Sequence, residues 1–211
     1  MKKIFTSLFL CMSLLVFGQQ QVALEKLLKL NASVTCFEGA FTRDSYVGAT
    51  KTATRSMGVL YFKGTQMSMI YSDPKGEVLV LDGTNFTQSK PDGKVLTPNI
   101  EKNETFHNLH YTLLYSMAGK VAEVVKENQG KISNFKEDSK HYTFTITKPK
   151  KHGLISELVL VYDKKDGTLY SMKMIDRVGS YSLYTFSGTK KINGNIDASK
   201  FVAPKKGRSK K

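Results

Sequence analysis

Residues 58–86, GVLYFKGTQMSMIYSDPKGEVLVLDGTNF, alternate apolar and other side chains in short runs, and both sides of each run carry apolar residues. Period-two alternation bounded by glycine, proline and aspartate is strand grammar. Val59, Tyr61, Met67, Met69, Tyr71, Val78 and Val80 form one set, and Leu60, Phe62, Ile70, Leu79 and Leu81 the other. A one-residue slip of register exchanges the two sides of a strand, so the assignment of sets to faces depends on the turns.

The same grammar continues elsewhere. FEGAFTRDSYV (37–47), TRSMGVLYFKG, QMSMIYSDP and EVLVLDG follow one another, with a turn at Pro74 to Gly76. Downstream, Tyr142, Phe144 and Ile146 alternate with threonines. ELVLVYDKKDGTLYSMKM predicts a hairpin around Lys165, Asp166 and Gly167, and IDRVGSYSLYTF another around Val178 to Ser180. Consecutive antiparallel strands favour a meander over a parallel α/β layout.

Two blocks have helical spacing. Residues 22–34 place Leu24, Leu27, Leu28 and Asn31 on one stripe, which predicts a short amphipathic helix lying on the sheet. Residues 104–128 place Phe106, Leu109, Leu113, Leu114, Met117, Val121, Val124 and Val125 at the same spacing. Gly119 is expected to break or bend that helix, and Gly130 to stop it. The irregular stretch TQSKPDGKVLTPNIEKN (87–103) and block 104–118 are expected to form a movable cover.

A sheet with apolar residues on both faces, in a chain with few helices, needs something to fill its second face. An apolar concavity in a curved sheet is the economical answer. Met67 with Met69 and Met172 with Met174 supply soft walls suited to acyl chains of variable shape. The candidate cavity residues are Tyr61, Met67, Met69, Tyr71, Met172 and Met174 on the sheet and Leu113, Leu114 and Met117 on the covering helix. A plain packed core made of the same residues is the competing expectation, since methionine commonly fills irregular core gaps.

Length and composition fit one globular domain: 211 residues, 40% hydrophobic and 24% charged. The start stands apart. Lys2 and Lys3 precede an apolar run from Ile4 to Phe17, interrupted by Thr6, Ser7 and Ser13 and followed by Gly18. That is the pattern of a cleaved secretory signal, residues 1–18, and its apolar run is short for a membrane span. The domain is expected over 19–204 and a basic tail over 205–211. Cys11 falls within the signal and is preceded by LFL, without the small residue of a lipid-attachment site, so the mature chain keeps Cys36 alone. A lone cysteine beside Phe37 reads as a small core hydrophobe before a nucleophile.

Without Lys2 and Lys3 the 32 basic residues become 30 against 18 acidic, a charge of +12. Such an excess fits nucleic acid, anionic lipid or polysaccharide. Export argues against nucleic acid. Much of the charge lies in KPKK (148–151), Lys190 and Lys191, and KKGRSKK at the end, so a solvated basic surface is the default and anionic lipid the alternative.

Enzyme signatures are lacking. VGSYS (178–182) is not a Gly-x-Ser-x-Gly elbow, and no phosphate-loop pattern occurs. His107 and His110 lie three apart without the glutamate of a His-Glu-x-x-His zinc site, and Asp163 and Asp166 belong to a turn. No catalytic residue, metal or cofactor is expected.

The order of several motifs resembles the LolA-type periplasmic lipoprotein carriers over nearly the whole mature chain. The carrying residues are LNASVTCFEGAFTR (30–43), GVLYFKG and YSDPKGEVLVLDG (58–83), HYTLLYSMAGK (110–120), LVLVYDKKDGTLYSMKM (158–174) and GNIDASKFVAP (194–204). The resemblance implies an α+β, mainly antiparallel fold: a curved, incomplete half β-barrel with helices covering an apolar cavity. It also implies a periplasmic monomer without cofactor. Such a carrier takes acylated lipoproteins from an inner-membrane ABC lipoprotein-releasing transporter and delivers them to an outer-membrane acceptor.

The sequence departs from that pattern. The family's arginine and proline after the position of Lys63, where the arginine is implicated in latching the cover, are replaced by Gly64 and Thr65. Arg43 and Lys63 are the candidate substitutes, although lysine lacks the guanidinium fork. Family aromatics near Met67 and Met69 and after Asp82-Gly83 are absent, and the chain has no tryptophan. A lipid or lipoprotein sensor, or an anionic-glycolipid adaptor, built on the same fold is the alternative function. A sensor is expected to bring a partner domain, whereas this sequence ends soon after Pro204, which favours a carrier acting alone.

Overall fold

The computed structural model describes residues 18–149, 155–192 and 194–203. All but the last residue of the expected signal (1–18), the whole of the basic tail (205–211) and part of KPKK lie outside them.

One open antiparallel sheet of eleven strands carries the fold, in the order β6-β5-β4-β3-β2-β1-β11-β10-β9-β8-β7. Its strands are β1 (Cys36–Val47), β2 (Thr52–Lys63), β3 (Gln66–Asp73), β4 (Val78–Leu81), β5 (Phe86–Ser89), β6 (Val95–Leu96), β7 (Lys131–Glu137), β8 (His141–Thr147), β9 (Ile155–Asp163), β10 (Leu169–Asp176) and β11 (Tyr181–Ile192). Neighbours in the sheet are neighbours in sequence except at the centre, where β11 returns to pair with β1. The meander therefore has two wings, β2–β6 and β7–β10 with β11, joined along β1. Its free edges are β6 and β7, so the sheet is not closed.

Between those edges the chain runs through α2 (Glu104–Met117) and α3 (Val121–Glu127), preceded by a short 3-10 turn, Ile100–Lys102. Asn103 caps α2, its side chain accepting from Phe106 N. Gly119, at φ +69°, ends α2 in the left-handed region, where glycine carries no steric cost. A Cβ there would also stand 2.5 Å from Asn31 Nδ2. That close approach lets the end of the first helix, α1 (residues 18–31), dock beside α2.

The core is the inner face of the curved sheet together with the helices it holds. Leu60, Met67, Met69, Leu81, Phe144, Leu160 and Met172 from the sheet are buried in one cluster with Leu27 of α1, Leu113 of α2 and Val124 of α3. A smaller cluster forms on the outer face, where Cys36 meets Ile196 and Phe201 of the C-terminal segment and Tyr61 packs against it. Cys36 is the expected core thiol, and its Sγ donates to Gly194 O at 3.1 Å.

Several expectations need correction. Helix α1 is already helical at residue 18 and ends at 31, before the predicted limit of 34. The stretch 87–103 is not a free cover: β5 and β6 occupy part of it and extend the sheet. Strand β7 had no distinct sequence signal, because KISNFKE alternates weakly and leaves most of its length exposed.

Candidate ligand cavity

Strand registers decide which residues reach the concave face. The Gly64-Thr65 turn pairs Lys63 with Gln66, so Phe62 opposes Met67, Tyr61 opposes Ser68 and Leu60 opposes Met69. Opposed residues share a face. Met67, Met69 and Tyr71 therefore point inward with Leu60 and Phe62, not with Tyr61 and Val59 as the sets predicted. Tyr61 is a correction: it lies on the outer face, beneath Lys200, which sits 5.3 Å from its ring centre. Strand β4 follows the same rule, since Leu79 and Leu81 oppose Met69 and Met67.

On the other wing Met172 is fully buried, paired with Tyr184 and Leu160. Met174 is partly buried against the same core. From the helix side Leu113, Leu114 and Met117 are all buried in it. Eight of the nine proposed cavity residues thus meet on one inner surface. In this closed state they pack together, so the competing expectation of a core and the expectation of a ligand wall describe the same side chains.

Helix α2 is embedded more deeply than a surface cover. Beside its leucines it buries Asn108, His110, Thr112 and Ser116. Tyr162 of β9 donates to Ser116 O at 3.0 Å, and Asn128 Nδ2 donates to Thr112 Oγ1 at 2.7 Å. Burial pushes the Tyr162 phenol up, so it stays a donor at any physiological pH. The apolar periodicity of 104–118 gave no sign of these polar contacts.

Open space remains at both ends of α2. Beside its first turns a cavity of about 340 Å3 is lined by Val47, Leu109, Lys148, Ile155, Met174 and Tyr181, among others. Beside its C-terminal end a second, of about 400 Å3, lies between Leu28 and Val34, Phe37 and Phe62, and Met117 and Ala118. Sequence reasoning missed Lys148 as a lining residue. The signal was present, since Lys148 continues the inward alternation of Tyr142, Phe144 and Ile146.

The two latch candidates engage other partners. Arg43 Nη1 donates to Tyr71 Oη at 3.0 Å and lies 3.4 Å from Glu77 Oε1, while Nη2 donates to Ser56 Oγ at 3.3 Å. Its guanidinium carbon stands 4.9 Å from the Tyr71 ring centre. Burial works against the Arg43 charge, but Tyr184, Tyr71 and Glu77 outweigh it and raise its pKa. Burial also drives the Tyr71 phenol up. These partners all belong to the sheet and its turns, so in this state Arg43 braces the wall rather than α2. Lys63 Nζ bonds Asn195 Oδ1 and ties down the C-terminal segment instead.

Two side reactions weighed from sequence find structural explanations. His107 Nε2 lies 3.0 Å from Glu127 Oε1, joining α2 to α3. Among the described residues no group of three or more His, Cys, Asp and Glu is placed to hold a metal ion. Asp163 and Asp166 accept from the backbone N–H of Lys165 and Thr168 within the β9–β10 turn.

Known folds repeat this arrangement. An uncharacterized conserved protein from Thermus thermophilus superposes with a TM-score of 0.52 at 10% identity, over 89% of this chain and 95% of its own. MucB superposes with a TM-score of 0.52 at 10% identity, over 90% of this chain but 64% of MucB. A LolA superfamily protein from Nitrosomonas europaea gives 0.42 at 10% identity, over 86% and 96%. At such identities the first two likenesses concern the fold alone, and the third, with its TM-score of 0.42, adds nothing to them. Comparison with curated protein sequences finds no match. The model of the outer membrane lipoprotein carrier protein LolA matches residues 32–203, which covers both wings, α2, α3 and the C-terminal segment but not α1. The chain therefore belongs to the LolA family.

Proposed function

We propose that this protein is a periplasmic carrier that shields the acyl chains of lipoproteins against the concave face of its sheet and moves them from the inner to the outer membrane. The observation that carries the reading is the pairing of an apolar inner wall, Leu60, Met67, Met69, Leu160 and Met172, with a helix whose Leu113, Leu114 and Met117 occupy the same space. The family description names a carrier rather than an enzyme, which supports a role without catalysis.

The energetics suit transfer in both directions. An acyl chain gains about 0.8 kcal/mol per buried methylene, so affinity is easily reached and release is the difficulty. A protein whose own helix fills the site when empty loses less on release, because the empty state is itself well packed. The cavities at the ends of α2 lie at the lower end of the roughly 300–1,000 Å3 of small-ligand sites. A lipid anchor with several chains therefore requires α2 to move outward. In this reading the mature protein works as a monomer, receiving cargo from an inner-membrane ABC transporter and yielding it to an outer-membrane acceptor.

Native mass spectrometry of the mature protein with a triacylated lipopeptide tests the proposal. A one-to-one complex is expected, with photo-crosslinks from a probe at Leu113 to the acyl chains. Met69→Lys is expected to abolish the complex. Retention of phospholipid or glycolipid alone by a folded protein that ignores lipopeptide would overturn the carrier in favour of the sensor or adaptor.

A further inference from the structure

The cavity at the first turns of α2 holds a buried charge that, unlike Arg43 and Glu77, has no ion pair among the described residues. Lys148 follows β8 directly and is only 8% exposed. Its backbone is fixed by donation to Ser156 O at 2.9 Å, and the side chain lines the cavity. Burial lowers the Lys148 pKa, with Glu104 and Glu127 opposing and Arg177 adding to the shift. A buried ammonium without a close counter-ion is costly, and an anion delivered beside it recovers part of that cost.

Two of the nearby carboxylates have other work. Glu127 is held 3.0 Å from His107. Asp176, also on the cavity wall, turns Oδ1 to the N–H groups of Val178 and Ser180 at 2.9 and 2.8 Å. Arg177, outside the lining itself, lies near enough to Lys148 to add a second cation, its Nη2 donating to Pro149 O at 2.6 Å. The positive end of α2 also faces this space, through Thr105 and Asn108. Among the lining residues Val47, Leu109, Ile155 and Met174 supply apolar surface.

We propose that this cavity binds one long acyl chain ending in an anionic head, with the chain against Val47, Leu109 and Met174 and the head, carboxylate or phosphate, at Lys148 and Arg177. The site shares the concave face with the carrier reading but does not need the shuttle. A lipoprotein anchor has no anionic group on its acyl ends, so this is a distinct ligand class: a free fatty acid or a lysophospholipid. At about 340 Å3 the space suits one chain without movement of α2.

The test compares three probes of equal chain length below their micelle concentrations: palmitate, palmitoyl-lysophosphatidylglycerol and the uncharged monopalmitoylglycerol. At least one anionic probe is expected to bind one to one and about tenfold more tightly than the uncharged one, a difference of about 1.4 kcal/mol. The relative strength of the two anionic probes separates the carboxylate source from the phosphate source. Lys148→Met keeps the stem and removes the charge. It is expected to bring the anionic probes to within about twofold of monopalmitoylglycerol while leaving the affinity for monopalmitoylglycerol itself unchanged. Equal binding of all three probes by the wild type, or a preference that survives Lys148→Met, overturns the proposal.

If Lys148→Met does not fold, palmitate spin-labelled near its carboxylate is added to the wild type. Broadening of the Thr105 and Lys148 amides supports the site, and broadening at Val34 and Ala118 instead overturns it. Lipopeptide binding fails or holds separately from these outcomes, so the carrier reading and this one can fall independently.

Discussion

Tyr162 on β9 and Tyr71 on β3 lie equally deep in the concave face, yet one bonds a helix and the other the wall. Tyr162 donates to Ser116 O of α2. Tyr71 accepts from Arg43, within a network that Glu77 and Gln88 complete on the β3–β5 side. The contrast extends across the molecule. Asn31 of α1 donates to Gly167 O at 3.0 Å in the β9–β10 turn, Lys191 of β11 donates to Leu30 O at 3.3 Å, and α3 bonds α2 through Asn128. Against β5, α2 rests through rings, Phe106 on Phe86 at 5.1 Å between centres. The β7–β11 wing is thus a fixed support, and the β2–β6 wing, with its methionines, is a surface on which α2 packs with no side-chain hydrogen bond recorded among the described residues. Directional bonds set one geometry, whereas apolar contact tolerates sliding and replacement by another apolar body.

The largest effects should separate the wings by truncation. Leu160→Ala removes a fully buried side chain from β9 and is expected to cost about 2–5 kcal/mol in urea unfolding, with no gain in lipopeptide affinity. Leu113→Ala makes the same chemical change on α2. Its cost is expected near the low end of that range of about 2–5 kcal/mol, because the helix can resettle. Its lipopeptide affinity should rise, since the closed state that competes with ligand is weakened. Equal changes in both quantities for the two variants would show that the wings do not divide the labour.

A smaller effect sharpens the comparison. Tyr162→Phe removes a single buried bond and is expected to cost about 1 kcal/mol, with faster hydrogen exchange along α2. Tyr71→Phe is expected to cost a similar amount while leaving exchange in α2 unchanged, because its partner Arg43 braces the sheet. Faster α2 exchange in Tyr71→Phe would tie the Arg43 network to the helix after all.

The sequence showed most of this sheet but not how its faces are shared. Alternating apolar runs placed β1 to β4 and β8 to β11, and Gly119 marked the end of α2, because periodicity and glycine conformation are local properties. Which side of β2 faces inward is not local. It follows from the two-residue Gly64-Thr65 turn, which pairs odd with even numbers and sends Tyr61 outward while Met67 and Met69 go inward. Counting across that turn would have corrected the set. Strands β5, β6 and β7 were invisible for another reason: they are short or polar, and the pairing with a neighbour makes them strands. The division between a bonded and an unbonded wing was also hidden, since Tyr162, Ser116 and Asn31 look like ordinary members of their periodic runs.

The last effect, read as a change with pH, concerns His110, on α2. It is fully buried, and neither ring nitrogen has a hydrogen-bond partner among the described residues. Leaving such a group unpaired costs about 1–3 kcal/mol, which weakens the closed state even at neutral pH. Burial holds the His110 pKa below its ordinary value; Asp82 in the β4–β5 turn works against the shift, and His107 adds to it. The unfolded chain therefore takes up this proton more readily than the native one. Its contribution to stability is complete above the ordinary histidine value of about 6.5 and is lost progressively as pH falls from there toward the depressed native value. Urea midpoints should be level near neutrality and decline on the acid side, and α2 amides should exchange faster before the rest of the core does. His110→Leu is expected to flatten that part of the decline and to raise stability at neutral pH, because it removes the unpaired nitrogens without opening a cavity. Other groups also take up protons on the acid side, so the difference between variant and wild type is the quantity to read. An acid slope that survives His110→Leu would assign the proton uptake to groups other than His110 and leave apolar packing as the whole of what holds α2 on the β2–β6 wing.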